Sequence, residues 1–287
     1  MMDRKLDTFM DRGRLTITLK KEILKKLDDY IDGSRIRNRS HAIEYVLAKY
    51  FAPKLKKALI LAGGKGVKMR PFTYEMPKCL IPVNGRPVLD YTIENLRRHD
   101  IRDIILSIGY HGEKIREHVG DGGRYGVKIT YLEQKSSEVG TAAPLRQAKK
   151  LLGAEPFVLY YADVLAKINY DDMFDFHIAN DGVTTMALTS VAKSSDWGVV
   201  RVQGSKVYSF LEKPDHRKDL SKIINVGIYI CEPRIFDYVS ASAKRLEKDV
   251  FPKLVEQHKL TGYIFAGQWF DVGNPESYKQ AVEEWKI

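Results

Sequence analysis

The 287-residue sequence predicts an α/β protein with a mainly parallel mixed sheet, preceded by a small strand–helix–helix unit. Three observations carry this expectation. From residue 57 onward, apolar stretches of strand length alternate with helix-period stretches, as a βαβ chain requires. The first 52 residues have another rhythm, one alternating strand and then two short amphipathic helices. Charge divides at the same place: residues 1–57 hold 15 Lys/Arg against 8 Asp/Glu, and the remainder holds 32 against 29.

In the first piece, Arg14-Leu-Thr-Ile-Thr-Leu-Lys20 alternates with period two. Leu15, Ile17 and Leu19 share one face, while Arg14, Thr16, Thr18 and Lys20 share the other. A helix-period stripe of Ile23, Leu24, Leu27, Tyr30 and Ile31 follows. Gly33-Ser34 interrupts it, and Ser40 is placed to cap a second helix carrying Ile43, Val46, Leu47, Tyr50 and Phe51. Three apolar faces within about 40 residues exceed what so small a monomer can bury. With Asn38-Arg-Ser-His-Ala-Ile43 opening the second helix, residues 12–52 resemble the ribbon-helix-helix family. There two chains pair their single strands into a ribbon that enters the major groove of duplex DNA. The resemblance implies that Arg14, Thr16 and Thr18 face base edges, and that amides near Ser40 grip a phosphate. The plainer expectation is a dimerisation module with a solvated basic face.

Residues 53–57 read as a charged linker, which sets the expected domains at 1–52 and 58–287. Lys57-Ala-Leu-Ile-Leu-Ala62 opens the second as a buried strand. Strands at 103–108, 127–132 and 157–162 interleave with helices at 87–99, 112–119 and 141–152. A strand-rich stretch follows at 183–191, 197–203, 206–212 and 225–231, then helices near 233–239 and 247–257.

The first strand runs into Gly63, Gly64 and Gly66, whose backbone can turn sharply and bring amides close to an anion. Lys68, Arg70 and Lys78 add three cations, and Pro71, Pro77, Pro82 and Pro87 stiffen the course. No Gly-Lys-Ser/Thr follows, so this is not a P-loop, and no helix opens at the third glycine as a dinucleotide fingerprint needs.

Taken whole, Leu61-Ala-Gly-Gly-x-Gly-x-x-Met-x-Pro71 with Pro77-Lys78-x-Leu-x-Pro-Val-x-Gly-x-Pro87 resembles the sugar-phosphate nucleotidyltransferases. In the same order come Gly140-Thr-Ala142, Tyr161-Ala-Asp-Val164, Trp197-Gly-Val-Val200, Leu211-Glu-Lys-Pro214, Asn225-Val-Gly-Ile-Tyr229 and Trp269-Phe-Asp-Val-Gly-Asn-Pro275. The resemblance implies a Rossmann-like nucleotide-diphospho-sugar transferase fold that joins a nucleoside triphosphate to a hexose 1-phosphate, releasing pyrophosphate. It implies Mg²⁺ on Asp163 and Asp271, catalytic roles for Lys68, Lys78 and Asp163, and nucleotide contacts from Leu61, Ala62, Gly63, Gly64, Gly66 and Gly140. Gly198, Glu212, Lys213 and Val226 fall at sugar-phosphate positions. Two residues depart from the pattern. Gly66-Val67-Lys68 stands where Gly-Thr-Arg is usual, so the planar arginine fork is lost. Ala162 precedes Asp163 where glycine is common.

No apolar run approaches the roughly 20 residues of a membrane span, and the N-terminus has no signal-like stretch. Cys79 and Cys231 lack metal-ligand spacing and read as reduced thiols. The sequence therefore predicts a cytoplasmic, even-numbered oligomer, a homodimer first, with nucleotide and sugar 1-phosphate as ligands. The alternative it leaves is a ribbon-helix-helix transcriptional regulator whose degenerate transferase domain senses a sugar nucleotide.

Overall fold

The computed structural model describes residues 15–33, 36–51, 54–134, 140–214 and 221–286. The chain divides into two compact units, Met1–Pro53 and Lys54–Ile287. Among the described residues no helix is long and apolar enough to cross a membrane.

The first unit contains α1 (Lys21–Asp28) and α2 (Arg39–Phe51). Residues 15–20 lead into α1 without a strand of their own, because a lone strand in a single chain has no ladder partner. Arg14 lies outside the described residues. Asn38, not Ser40, caps α2: its Oδ1 accepts the His41 N–H at 2.9 Å, and Ser40 sits within the first turn. Leu27, Ile36 and Ala42 form a small buried cluster, supported by Leu19, Ile31 and Ile43. Among the described residues, the apolar side chains of Leu15, Ile17, Ile23, Tyr30, Tyr45, Val46 and Leu47 stay in water.

The second unit opens with β1 (Lys57–Ala62), followed by the short α3 (Phe72–Glu75) and a tight hairpin of β2 (Pro82–Val83) and β3 (Arg86–Pro87). Then come α4 (Val88–Arg98), β4 (Asp103–Ile108), α5 (Gly112–Val119), β5 (Lys128–Glu133), α6 (Ala142–Leu152) and β6 (Phe157–Tyr161). β7 (Val164–Ala166), α7 (Tyr170–Ala179), β8 (Thr184–Ser190), β9 (Gly198–Gln203), β10 (Lys206–Glu212) and β11 (Ile223–Cys231) follow. The chain closes with α8 (Leu246–Asp249), α9 (Phe251–Glu256), β12 (Leu260–Ile264), β13 (Trp269–Asp271) and α10 (Pro275–Glu284).

Nine strands form one sheet in the order β5-β4-β1-β6-β11-β8-β12-β10-β9. The β5-β4-β1-β6 half is parallel, as its helical crossovers demand. β11 runs antiparallel to both β6 and β8, and β10 antiparallel to β12 and β9. The expectation of a mainly parallel sheet therefore holds for one half only. Among the described residues between 184 and 231 no helix separates the strands, and short connections favour antiparallel neighbours. Apolar clusters cover both faces, with Leu59, Ile60, Phe157, Tyr160, Tyr229 and Phe251 wholly buried.

β7 and β13 lie apart as an antiparallel ribbon, registering Trp269 against Ala166, Phe270 against Leu165 and Asp271 against Val164. The ribbon ends in Asn274, whose side chain accepts the Glu276 and Ser277 N–H groups at 3.0 and 3.2 Å and starts α10, with Pro275 at its first position.

Candidate active site

Where β1 ends, the chain turns through Gly63 and Gly64 into the short turn Val67–Met69 and on through α3 to a second turn, Lys78–Leu80. Gly66 adopts a left-handed φ of 62°. Its missing side chain has a packing reason: a Cβ there would overlap the stem of Lys78 and approach Thr73 Cγ2 to 2.8 Å. Thr73 Oγ1 donates to the Gly66 carbonyl at 2.8 Å and fixes the turn. The glycine loop thus lets Lys78 run across it toward the end of β6.

There Lys78 Nζ forms an ion pair and hydrogen bond with Asp163 Oδ2. Both side chains are largely shielded, with 24% and 20% exposure. The ribbon supplies the second carboxylate, since the Val272 N–H donates to the Asp163 carbonyl at 2.8 Å and Asp271 pairs with Val164. Asp271 is held at both oxygens: Oδ1 accepts from the Gly273 N–H at 2.8 Å, and Oδ2 from Trp197 Nε1–H at 2.9 Å.

The two acids titrate apart. Burial works against the charge on Asp163, but the Lys78 ammonium overcomes it and holds the carboxyl below its usual range. Burial and then the charge of Asp163 push Asp271 above the usual range, against the hydrogen bond from Trp197. Burial opposes the charge on Lys78 as well, yet Asp163 keeps its pKa above the ordinary value. Two carboxylates facing one small space, one of them reluctant to ionise, is an arrangement that a cation relieves.

Gly273 marks the point where these groups meet: a Cβ built there would stand 2.7 Å from Asp163 Oδ2, 3.0 Å from Asp271 Oδ1 and 3.3 Å from the Lys78 ammonium, so only a residue without a side chain fits. Among the described residues no cluster of three or more His, Cys, Asp or Glu forms a metal cage. Two carboxylates suit a hard ion such as Mg²⁺, which keeps positions for water and phosphate.

Asp163 and Lys78 line a cleft of about 780 Å³. Its walls include the predicted Leu61, Ala62, Gly63, Gly64 and Gly140. Lys65 and Gln134 line it too. The Gln134 side chain lies over Gly63, where a Cβ would come within 2.7 Å of its Nε2, and it donates to Ser107 Oγ at 3.1 Å. Gly66 and Lys68 are not among the lining residues; Lys68 is exposed on the turn, and Arg70 stacks on Tyr74 with its Cζ 4.9 Å from the ring centroid. Gly140 has a φ of 122° and no room for a side chain against the Lys244 carbonyl, so packing requires the glycine.

The residues expected at the sugar phosphate come from β9, β10 and β11 and the residue after β10. Glu212 pairs with Gly198 across β10 and β9, where a Cβ on Gly198 would meet Glu212 Oε2 at 3.0 Å. Lys213 follows with a left-handed φ of 45°, and its charge also lowers the Asp163 pKa. Val226 is buried beside a break in the β11 register between Asn225 and Tyr229, and its carbonyl accepts from Trp269 Nε1–H at 3.1 Å. Sequence reasoning missed Glu247. It accepts from Thr141 Oγ1 at 3.0 Å and from the Tyr161 hydroxyl. Burial and then the charge of Glu247 push Glu212 above the usual carboxylate range. The only sequence signal for Glu247 was its place at a short helix start.

Residues 57–286 match the family model described as Nucleotidyl transferase. The mannose-1-phosphate guanylyltransferase catalytic subunit beta of Danio rerio is 34% identical over 227 residues, covering 77% of this chain and 62% of its own length. The mannose-1-phosphate guanyltransferase of Saccharomyces cerevisiae is 33% identical over 228 residues, with the same shares. The chain thus spans about 62% of the length of these curated relatives. A solved structure of a putative glucose-1-phosphate thymidylyltransferase from Bacillus anthracis superposes with a TM-score of 0.73 at 26% identity, covering 79% of this chain and 94% of that one. HddC from Yersinia pseudotuberculosis, at 23% identity and a TM-score of 0.69, shares the fold.

Replacing Gly273 with alanine is expected to put a methyl group between the two carboxylates. Gly273 has no left-handed φ, so the backbone accepts the change. Mn²⁺ affinity, measured by isothermal titration, should fall at least about 10-fold with cooperative thermal unfolding retained. Affinity within twofold of wild type would contradict a cation in that space.

Proposed function

The chain belongs to the nucleotidyl transferase family, and we propose that it forms a nucleoside diphosphate sugar from a nucleoside triphosphate and a hexose 1-phosphate. The observation that carries this reading is the convergence of Asp163 and Asp271 on Gly273, with Lys78 on one of them and Lys213 near enough to act on its charge. The curated relatives are named as mannose-1-phosphate guanylyltransferases, so GTP with mannose 1-phosphate is the first pair to test. Those names favour an enzyme over a sugar-nucleotide sensor.

In this reading the triphosphate lies in the cleft between Gly63–Lys65 and Gln134, and the sugar phosphate lies on the Gly198–Glu212 side. A phosphate oxygen of the sugar phosphate attacks the α-phosphorus; its bond forms as the α–β bridging bond breaks, and pyrophosphate leaves. Both substrates are anions, so positioning and positive charge carry most of the catalysis. Mg²⁺ bound by Asp163 and Asp271 would screen the phosphates and stabilise charge on the leaving group. Lys78 exchanges Asp163 for a phosphate oxygen as the nucleotide arrives, and Lys213 holds the sugar phosphate. Glu212 accepts hydrogen bonds from sugar hydroxyls. Lys68 on its exposed turn, and Lys65 in the cleft wall, are the cations available to the triphosphate in place of the usual arginine.

The N-terminal unit pairs two chains in ribbon-helix-helix fashion, and through Arg14, Thr16, Thr18 and the α2 N-terminus it contacts duplex DNA. Its support is the row of apolar side chains left in water in a single chain and the local excess of positive charge.

Incubation with Mg²⁺, each nucleoside triphosphate and a panel of hexose 1-phosphates should release pyrophosphate for at least one pair, and Asp163→Asn should lower that rate at least about 1,000-fold. Silence across the panel would sink the enzyme reading. Sedimentation velocity at micromolar concentration should find an even oligomer that Val46→Glu with Leu47→Glu dissociates without stopping turnover. Duplex DNA affinity should fall steeply with salt; a flat response would leave the unit a dimerisation module only.

A further inference from the structure

Trp197 stands immediately before β9 and touches both sides of the site. Its indole N–H donates to Asp271 Oδ2 at 2.9 Å, and its backbone carbonyl accepts the N–H of Lys213 at 3.2 Å. The ring packs edge-on against Trp269, with centroids 5.5 Å apart and planes at 75°. Trp269 in turn donates to the Val226 carbonyl. One residue therefore sets a carboxylate of the proposed cation site and the backbone of the proposed sugar-phosphate lysine.

Lys213 holds a left-handed φ of 45°, a conformation that needs outside support in a residue with a side chain. The bond to the Trp197 carbonyl supplies it. Asp271 is likewise a group with reason to move, being buried beside Asp163. With the Gly273 N–H on one oxygen and the Trp197 indole on the other, the carboxylate cannot rotate, and a lone pair on each oxygen remains for a ligand. Partners of this kind commonly fix a metal ligand's orientation.

We propose that Trp197 is a positioning residue: its indole aims Asp271 at the cation while its carbonyl places Lys213, so that the sugar-phosphate arm and the cation site are built as one unit. This rests on the transferase reading above, with a divalent cation between Asp163 and Asp271. An indole hydrogen-bonded to a cation ligand also reports on the cation, because a charge arriving one bond away changes the field at the ring.

Trp197→Phe keeps the aromatic contact with Trp269 and deletes the N–H. On the full chain, free Mn²⁺ counted by electron paramagnetic resonance should show about 10-fold weaker binding in this variant, at an unchanged thermal midpoint. Mg²⁺ should change the tryptophan emission of the wild type and of Trp285→Phe, but not that of Trp197→Phe. The KM for sugar 1-phosphate should rise severalfold, with nucleotide affinity measured without metal held within twofold. Mn²⁺ binding within twofold of wild type in Trp197→Phe would overturn the proposal while leaving the transferase reading intact. So would an emission response that Trp285→Phe abolishes, a measurement that needs no change at position 197. A wild type that turns over no sugar phosphate and binds no Mn²⁺ would overturn both readings together.

Discussion

Everything in the transferase unit is arranged around one register: β13 lies against β7 so that Asp271 faces Val164, next in the chain to Asp163. That pairing brings together two carboxylates separated by more than a hundred residues, in a place where water is scarce. Burial first, and then the charge of Asp163, make Asp271 resist ionisation. Lys78 offsets half of the problem by pairing with Asp163. Removing one member of such a shielded pair costs about 3–5 kcal/mol, so without a cation this lysine also serves the fold.

The neighbouring elements follow from that demand. The loop after β1 is stripped of side chains at Gly66 because Lys78 has to cross it. Asn274 and Pro275 start a helix at once after Gly273, which anchors the ribbon's end. The antiparallel half of the sheet supplies Gly198, Glu212 and Lys213 from one hairpin, and Trp197 joins that hairpin to the ribbon. The glycine loop and the ends of β1 and β6 line the cleft. Such division places binding groups on loops while the scaffold fixes their spacing.

Much of this was legible before any coordinates. The buried β1, the glycine loop, the two aspartates after strands and the lysine beside Pro214 all carry local signatures, and local signatures survive in a linear reading. Strand direction did not: nothing in Asn225-Val-Gly-Ile-Tyr229 says that β11 runs opposite to β6. The cap of α2 was placed two residues late because Asn38 and Ser40 are both good capping residues. Glu247 and the indole of Trp197 were missed for one reason. Each acquires its role from a partner distant in the chain, Thr141 and Asp271 respectively, and such pairings are made by tertiary register.

The central claim is that Asp163 and Asp271 are two halves of one cation site. Anomalous diffraction from crystals of the full chain grown with Mn²⁺ and a non-hydrolysable triphosphate tests it most directly. The account predicts one strong peak about 2.1 Å from an oxygen of each aspartate, with the Lys78 ammonium moved from Asp163 onto a phosphate. A peak elsewhere, with the Lys78–Asp163 pair intact beneath a bound nucleotide, would contradict it.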